Sequence, residues 1–357
     1  LPFSAIDAIT PAVEHTKQQL FKPFRLGQWT RLAIVGLLAG ELGSSGLNRS
    51  NFSPTRHGGG FGGIDPAVVI GLIGVIVVAA LVLGIIFMYI SSVMRFILFD
   101  SVLTRECHIR AGWIRRQGPG LRYFLWQLGY LVAVLAAMAV LLGIPLGFAF
   151  AAGWFNHPSA HMLPLVLGGI VLFFVLLIFF VVAAVVVVLT KDFVVPQMAL
   201  EEIGAVQAWR RLWPMIMAEK SGYAGYIGMK ILMAIGAGIL VAIAALILGL
   251  FLAVPTVGLG ILAVMTGKTA GLTWDAYTIT LAIVVGSILL LVFLYLIALI
   301  SVPVIVFFPA YSIYFFAARY PVLSRVLYPA PPSPAVPQVA PPPYEPPPLP
   351  PTPEPIG

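Results

Sequence analysis

The chain has 357 residues, of which 60% are hydrophobic and only 9% charged, with a mean hydropathy of +1.03. A soluble domain carries about 25% charged residues, so this composition cannot cover a globule with polar surface and excludes a soluble protein. The net charge of +7 is sorted along the chain rather than spread over it, and the single Cys107 excludes an internal disulfide and any multi-cysteine metal site.

Residues 1–25 form a polar, mixed-charge, amphipathic segment rather than a basic start followed by an apolar core. No cleavable signal peptide is therefore expected, and Leu1 leaves the native start open. The first span is placed at 26–47, opened by Trp29 and Arg31 and interrupted by Glu41. Counted from Phe24, Glu41 lies about 26 Å along such a helix, near its outer end. It is the one carboxylate inside a span, and intramembrane acids are candidate functional groups. An interfacial, hydrogen-bonded acid and an ion or substrate contact are its two readings.

Gly43-Ser44-Ser45-Gly46 matches the GxSG text of intramembrane serine proteases. That chemistry needs a histidine to activate the serine, and none of the five His lies in an expected span. The text is read as a span exit. His57-Gly58-Gly59-Gly60 continues into a glycine-rich outer loop without the Lys-Ser/Thr ending of a phosphate-binding loop. His57, His157 and His161 share the outer side, but Pro158 follows His157 and no carboxylate is near, so no metal and no cofactor are expected.

Further spans follow at 66–94, 123–152, 163–190, 229–254 and 276–308. They come from charge-free runs over Pro66–Met94, from Tyr123 up to Lys191, over Ile231–Val254, and between Asp275 and Arg319. The second run is too long for one helix and breaks at Gly153 to Pro158. Each span needs about 20 residues to cross roughly 30 Å of hydrocarbon. Pro145, Pro255 and Pro303 mark places where a helix could be discontinuous. Gly36/Gly40 and Gly143/Gly147 have the spacing of close helix approach.

Seventeen of the 20 Lys and Arg fall in the segments on one side of these spans, and only Arg49, Arg56 and Lys268 fall on the other. Such a bias places the rich side in the cytoplasm. With six spans, both termini are cytoplasmic, in a plasma (inner) membrane protein.

The two long inner segments, 95–122 and 191–228, resemble each other at an offset of 95. Glu106, Arg115, Arg116 and Pro119 align with Glu201, Arg210, Arg211 and Pro214, with Trp113 or Trp209 beside the Arg pair. Gln18 to Pro23 is a looser third copy. The chain thus reads as three units, each an inner amphipathic segment followed by two spans. In 196–213, Met198, Val206 and Trp209 recur at helical spacing with Glu and Arg on other faces. A basic, aromatic-bearing helix of this kind suits an anionic headgroup layer. Glu106, Trp113, Arg115, Arg116, Glu201, Trp209, Arg210 and Arg211 are accordingly the candidate residues for lipid headgroups or a protein partner. Interface anchors that only set tilt and depth are the plainer alternative.

The opening text AIDAITPAVEHTKQQLFKPFRLGQWTRLAIVGLLAGELGSSG resembles that of an uncharacterised prokaryotic multi-span membrane family, also represented in haloarchaea. VVPQMALEEIGAVQAWRRLW is similar to the repeat segment of bacterial six-span domains of unknown function, some of them fused to glycerophosphodiester phosphodiesterases. The resemblance implies a helical membrane fold in a prokaryotic plasma membrane. It implies no activity, since these 357 residues hold no such phosphodiesterase domain.

From 329 to 357 the chain is rich in Pro and lacks Lys and Arg. Pro fixes φ and has no amide donor, so an extended, polyproline-like cytoplasmic tail is expected. Its PxxP and PPxY texts are of the kind that aromatic grooves read, although a plain spacer has the same composition. The expected fold is an all-α integral membrane protein with six transmembrane helices at 26–328, amphipathic interfacial helices on the cytoplasmic side and internal repeats. The expected function is a non-enzymatic scaffold or a subunit of a membrane complex or homo-oligomer, with no nucleic acid partner. A transporter or channel for a neutral or apolar solute is the alternative.

Overall fold

The computed structural model describes residues 4–41, 66–156, 159–269 and 276–328. Every regular element among them is helical. Helix α1, Ile9–Phe21, buries Ala12, His15, Thr16, Gln19 and Leu20, the three- and four-residue steps of a helix with one inward face. Helix α2, Leu26–Leu38, has 13 residues and is followed by Gly40 at φ +78°, a backbone conformation that glycine adopts without a Cβ clash. At 1.5 Å per residue α2 is about 20 Å long, short of the roughly 30 Å hydrocarbon layer. The end of the expected first span, with Gly43 to Gly46, lies outside the described residues, as do His57, His157, the glycine-rich loop and the Pro-rich tail.

The remaining helices are α3 (Pro66–Thr104), α4 (Ile109–Ala151), α5 (Met162–Leu189), α6 (Val195–Glu201), α7 (Ala205–Ala218), α8 (Lys220–Thr269), α9 (Ala276–Ala317) and α10 (Pro321–Leu327). Five long helical stretches, rather than six, are long and apolar enough to cross a membrane among the described residues. They correspond to α3, α4, α5 with its continuation through α6, α8 and α9.

The inner segments are more helical than loops. Helix α3 runs on to Thr104 and α4 starts at Ile109, so the chain reverses over 105–108, where Arg105 takes φ 62°. The segment 196–213 is two helices, because Glu202 at φ 55° ends α6 before α7 begins. Met198 is fully buried and Trp209 packs against the core, but Val206 is 62% exposed. The inward stripe of α7 is instead Ala205, Ala208 and Leu212. Pro145, Pro255 and Pro303 all lie inside continuous helices, so none of them interrupts a span.

The core sits at one end of the long helices, the end that carries the sorted charges. There α1, α2, the last turns of α3 and α9, and the segment 189–226 close around Phe96, Phe193, Tyr226, Tyr311, Phe315 and Phe316, all fully buried. Phe193 is the hub, with the rings of Tyr223, Tyr226, Phe315 and Phe316 between 5.0 and 5.9 Å from its own. Such ring pairs contribute about 0.5–1.5 kcal/mol each beyond their burial. Away from this end, the most apolar stretches of the five long helices are almost wholly exposed.

Two glycines set close approaches. A Cβ on Gly120 would stand 2.6 Å from Val93 Cγ2 and 3.2 Å from Val93 Cα, so α4 meets the backbone of α3 there. Gly36 lies against the side chain of Ile305 on α9. Gly143 and Gly147, expected to mark a helix contact, have nothing within 4 Å.

Helix α1 is held by side chains that reach across to α3 and α9. The Gln19 amide donates to Ser101 O at 2.8 Å, and Tyr311 donates to Ala5 O at 3.0 Å. His15 Nε2 lies 2.8 Å from Val102 O, and its Nδ1 lies 3.1 Å from Tyr314 Oη. The carbonyl can only accept, so Nε2 carries the proton and Nδ1 accepts from the tyrosine. Both ring nitrogens are thus satisfied in the neutral form. Burial lowers the His15 pKa, the Val102 bond opposes this, and the charge of Arg105 adds to the lowering.

Gly120→Ala is expected to destabilise the protein by about 1–3 kcal/mol through overpacking, while Gly143→Ala leaves it within about 0.5 kcal/mol. Thermal unfolding of the purified variants in one detergent checks both. Because His15 is depressed in the folded state, the unfolded chain binds more protons as pH falls below about 6.5. Its contribution is therefore lost as pH drops from there towards the lowered folded value. His15→Gln should flatten the dependence of the unfolding midpoint on pH in that window, and an unchanged slope would remove His15 as its source.

Candidate functional site

A group of ionisable side chains meets inside the charged end, supplied by four separate stretches of chain. Helix α5 ends in a π-helical turn, Thr190–Val194, closed by the Val195 amide donating to Thr190 O. The cause is Pro196. It has no amide hydrogen to give to the Asp192 carbonyl, and its ring would clash there in an α-helix. The widened turn places Lys191 and Asp192 in the interior, where Asp192 is 3% exposed.

Lys191 Nζ pairs with Glu41 Oε2, and Lys230 Nζ, from α8, pairs with Asp192 Oδ2. Tyr226 donates to the same Asp192 oxygen at 2.9 Å and stacks on Tyr311 at 5.1 Å. Arg95 of α3 donates through one Nη to Ala39 O at 2.6 Å and through the other to Tyr123 Oη at 3.3 Å. Glu41, Arg95, Lys191, Asp192 and Ser312 line a cavity of about 30 Å³. Buried charges are expensive unless each is paired and hydrogen-bonded; Glu41, Lys191, Asp192 and Lys230 are so paired, while Arg95 is held by a carbonyl and a phenol.

Glu41 therefore lies elsewhere than its position on an uninterrupted helix implies. Because Gly40 turns the chain, Glu41 comes to rest beside the charged end of α3 and the turn after α5, 4% exposed. Arg95, Lys191 and Lys230 appear in the sequence only as members of the charge-rich side, and Asp192 is not singled out there. One signal could have found them. Lys191 and Asp192 close the longest charge-free run as an adjacent pair, and Pro196 follows at the spacing that forbids a regular α-helical bond.

The repeated Arg pairs are placed differently in the two copies. Arg116 grips both oxygens of Asp100 at 2.7 Å and donates to Ala199 O at 2.8 Å, with only 11% of its side chain exposed. Arg115 reaches the same carboxylate at 2.7 Å from a side chain 65% exposed. In the second copy Arg211 pairs with Glu201, which also accepts from Tyr320, and Arg210 is exposed. Glu106, the counterpart of Glu201, stays at the surface 3.9 Å from His108 Nδ1. Trp113 is half-buried with its ring 6.2 Å from that of Tyr89, and Trp209 donates from Nε1 to Thr190 Oγ1 at 3.1 Å. The candidate residues thus divide into Arg116, Trp113, Trp209 and Glu201, which are tied into the fold, and Glu106, Arg115, Arg210 and Arg211, which face outward.

Two further groups complete this end. Arg319 donates twice to Glu219, at 2.6 and 2.7 Å, and lies 4.0 Å over the Phe315 ring. Its hydrogen bonds hold Glu219 below the usual carboxylate value. Cys107 is buried, and that burial pushes its thiol up, away from the reactive thiolate form. His161 caps α5 with its ring 6.3 Å from Trp154. No group of three His, Cys, Asp or Glu fit for a metal occurs among the described residues.

The model of a family of unknown function, DUF7544, matches residues 3–326, and the chain belongs to that family. No curated protein and no solved structure matches it. Membership is consistent with an uncharacterised family and shows no link to membrane proteins or to glycerophosphodiester phosphodiesterases.

Removing Arg116 leaves Asp100 with one exposed partner, whereas removing Arg115 leaves the two-bond grip intact. Arg116→Ala should cost about 3 kcal/mol and Arg115→Ala about 1 kcal/mol or less. Denaturation of both variants side by side checks the order, which reverses if the exposed arginine carries the fold.

Proposed function

We propose that this chain is a non-enzymatic integral membrane scaffold, or a subunit of a larger membrane assembly, whose recognition surface is the charged end. The observation that carries this reading is the division of the molecule. One end is a closed core with its ions paired internally, while the apolar stretches of the long helices contact little of their own chain. Walls of that kind suit lipid or the helices of a partner, since apolar contact with lipid carries no penalty.

The charge bias supports the cytoplasmic side for this end, and the resemblance of the opening text supports a prokaryotic plasma membrane. A sixth crossing belongs to this reading, and the separation of two points on one helix supports it. Ala39 accepts from Arg95, and Pro66 opens the same helix 29 residues earlier, about 44 Å away at 1.5 Å per residue. In this reading the N-terminus lies on the same side as the end of α9. The partners proposed are anionic headgroups and a protein met by the outward residues Glu106, Arg115, Arg210 and Arg211, by the tail 329–357, or by both.

The test is affinity capture from membranes with the full chain, with a chain lacking 329–357, and with Arg115, Arg210 and Arg211 changed to Glu. Arg116 is left in place because it holds the core. A defined partner recovered by the full chain and lost from the combined variant is the expected result. An identical set of captured proteins from every variant would count against the charged end as the recognition surface.

A second reading, transport of a small neutral solute, is favoured by the cavity beside Glu41. Flux into liposomes that disappears in Glu41→Gln would displace the scaffold reading.

A further inference from the structure

The internal ion group at the charged end is not balanced. Glu41, Arg95, Lys191, Asp192 and Lys230 lie close enough for their charges to act on one another. Three are cations and two are carboxylates, so among the described residues the group carries one positive charge in excess. Both carboxylates are already engaged, Glu41 by Lys191 and Asp192 by Lys230 and Tyr226. Other ion pairs at this end are closed elsewhere, Arg115 and Arg116 on Asp100, Arg211 on Glu201 and Arg319 on Glu219. Among the described residues, Arg95 is the cation of the group without a carboxylate hydrogen-bonded to it. It binds a carbonyl and a phenol, and its Nε is buried with no hydrogen-bond partner among the described residues.

Arg95 also lines the 30 Å³ cavity, together with Lys191, Ser312 and the two engaged carboxylates Glu41 and Asp192. A volume of that measure holds a particle of one or two water molecules, since a single water needs about 10–15 Å³. A buried excess cation is relieved either by loss of a proton from a lysine or by a counter-anion. The guanidinium keeps its proton in any protein, so the unsatisfied donor on Arg95 is permanent.

We propose that this cavity is a binding site for one small monovalent anion of chloride size, held by the Arg95 guanidinium with Lys191 beside it. The anion neutralises the surplus charge and gives the orphan donor an acceptor. It thereby ties α3, the turn after α5 and the N-terminal segment ending at Glu41 into one unit. This site does not depend on the scaffold reading, and either can fail alone.

The test uses the full chain in detergent or nanodiscs at constant pH and constant ionic strength, with chloride exchanged for gluconate, which is too large for the cavity. The expected result is an unfolding midpoint that rises with chloride and saturates, with bromide acting in the same way. That rise should be lost in Arg95→Gln and kept in Arg115→Gln, whose arginine lies outside the group. Equal midpoints in chloride and gluconate overturn the proposal and leave lysine deprotonation as the source of balance. An undiminished chloride response in Arg95→Gln overturns it as well. Should Arg95→Gln not fold, crystals of the unaltered chain grown in bromide decide the matter. An anomalous peak between Arg95 and Lys191 sustains the site, and its absence there removes it.

Discussion

The structure depends on one constraint: a charge carried into an apolar interior must find its partner there. Arg95, Lys191 and Lys230 lie within helical stretches of apolar, membrane-spanning character, and removing one member of a buried ion pair strands the other at a cost of about 3–5 kcal/mol. Asp192 meets Lys230 within the same half of the chain, but the partner of Lys191 comes from 150 residues away. Glu41 can reach Lys191 only because Gly40 ends α2 and turns the chain. The short second helix, the docking of α1 on α3 and α9, and the π-helical turn at Thr190–Val194 all serve to bring these groups to one place.

That concentration explains why the two ends of the long helices differ. At the charged end aromatic rings and polar side chains have specific partners, and glycines such as Gly120 permit backbone contact. Farther along, Leu, Ile, Val and Phe side chains lie mostly outward. In water such exposure would be prohibitive at about 25 cal/mol per Å², whereas in lipid it is nearly neutral. The chain needs specific packing at one end only, and its helices can be long and uniform because their apolar surfaces need no partner in the same chain.

Much of this was legible in the sequence, for reasons that also mark where reading stops. Long charge-free runs gave the helices, since length and hydropathy are properties of contiguous residues. The sorted Lys and Arg identified which ends belong together. The ion group was not legible, because pairing Glu41 with Lys191, or Arg95 with Tyr123, requires knowing which helices are neighbours. The uninterrupted helix that would carry Glu41 to the far side failed at Gly40, a residue whose spacing from Gly36 suggested a packing motif. Its use is as a turn. Conversely, Pro145, Pro255 and Pro303 look like breaks and are absorbed within helices, while Pro196 forces the one departure from α-helical bonding at the ion group.

The repeated Arg pair shows how identical text separates into different roles. Successive residues on a helix point about 100° apart, so Arg116 grips Asp100 from a side chain 11% exposed while Arg115 reaches the same carboxylate from one 65% exposed. In the second copy no acid occupies the place of Asp100, where Val195 stands at the same offset. Arg211 takes Glu201 instead and stays half-exposed. The inner copy of each doublet is therefore fixed by the acid that each helix happens to supply, whereas Arg115 and Arg210 are the members the fold needs least. A side chain the fold does not need, standing beside one that anchors it, is held in position without being consumed by packing. That is the physical ground for placing recognition on the outward arginines of the charged end rather than on the repeat as a whole.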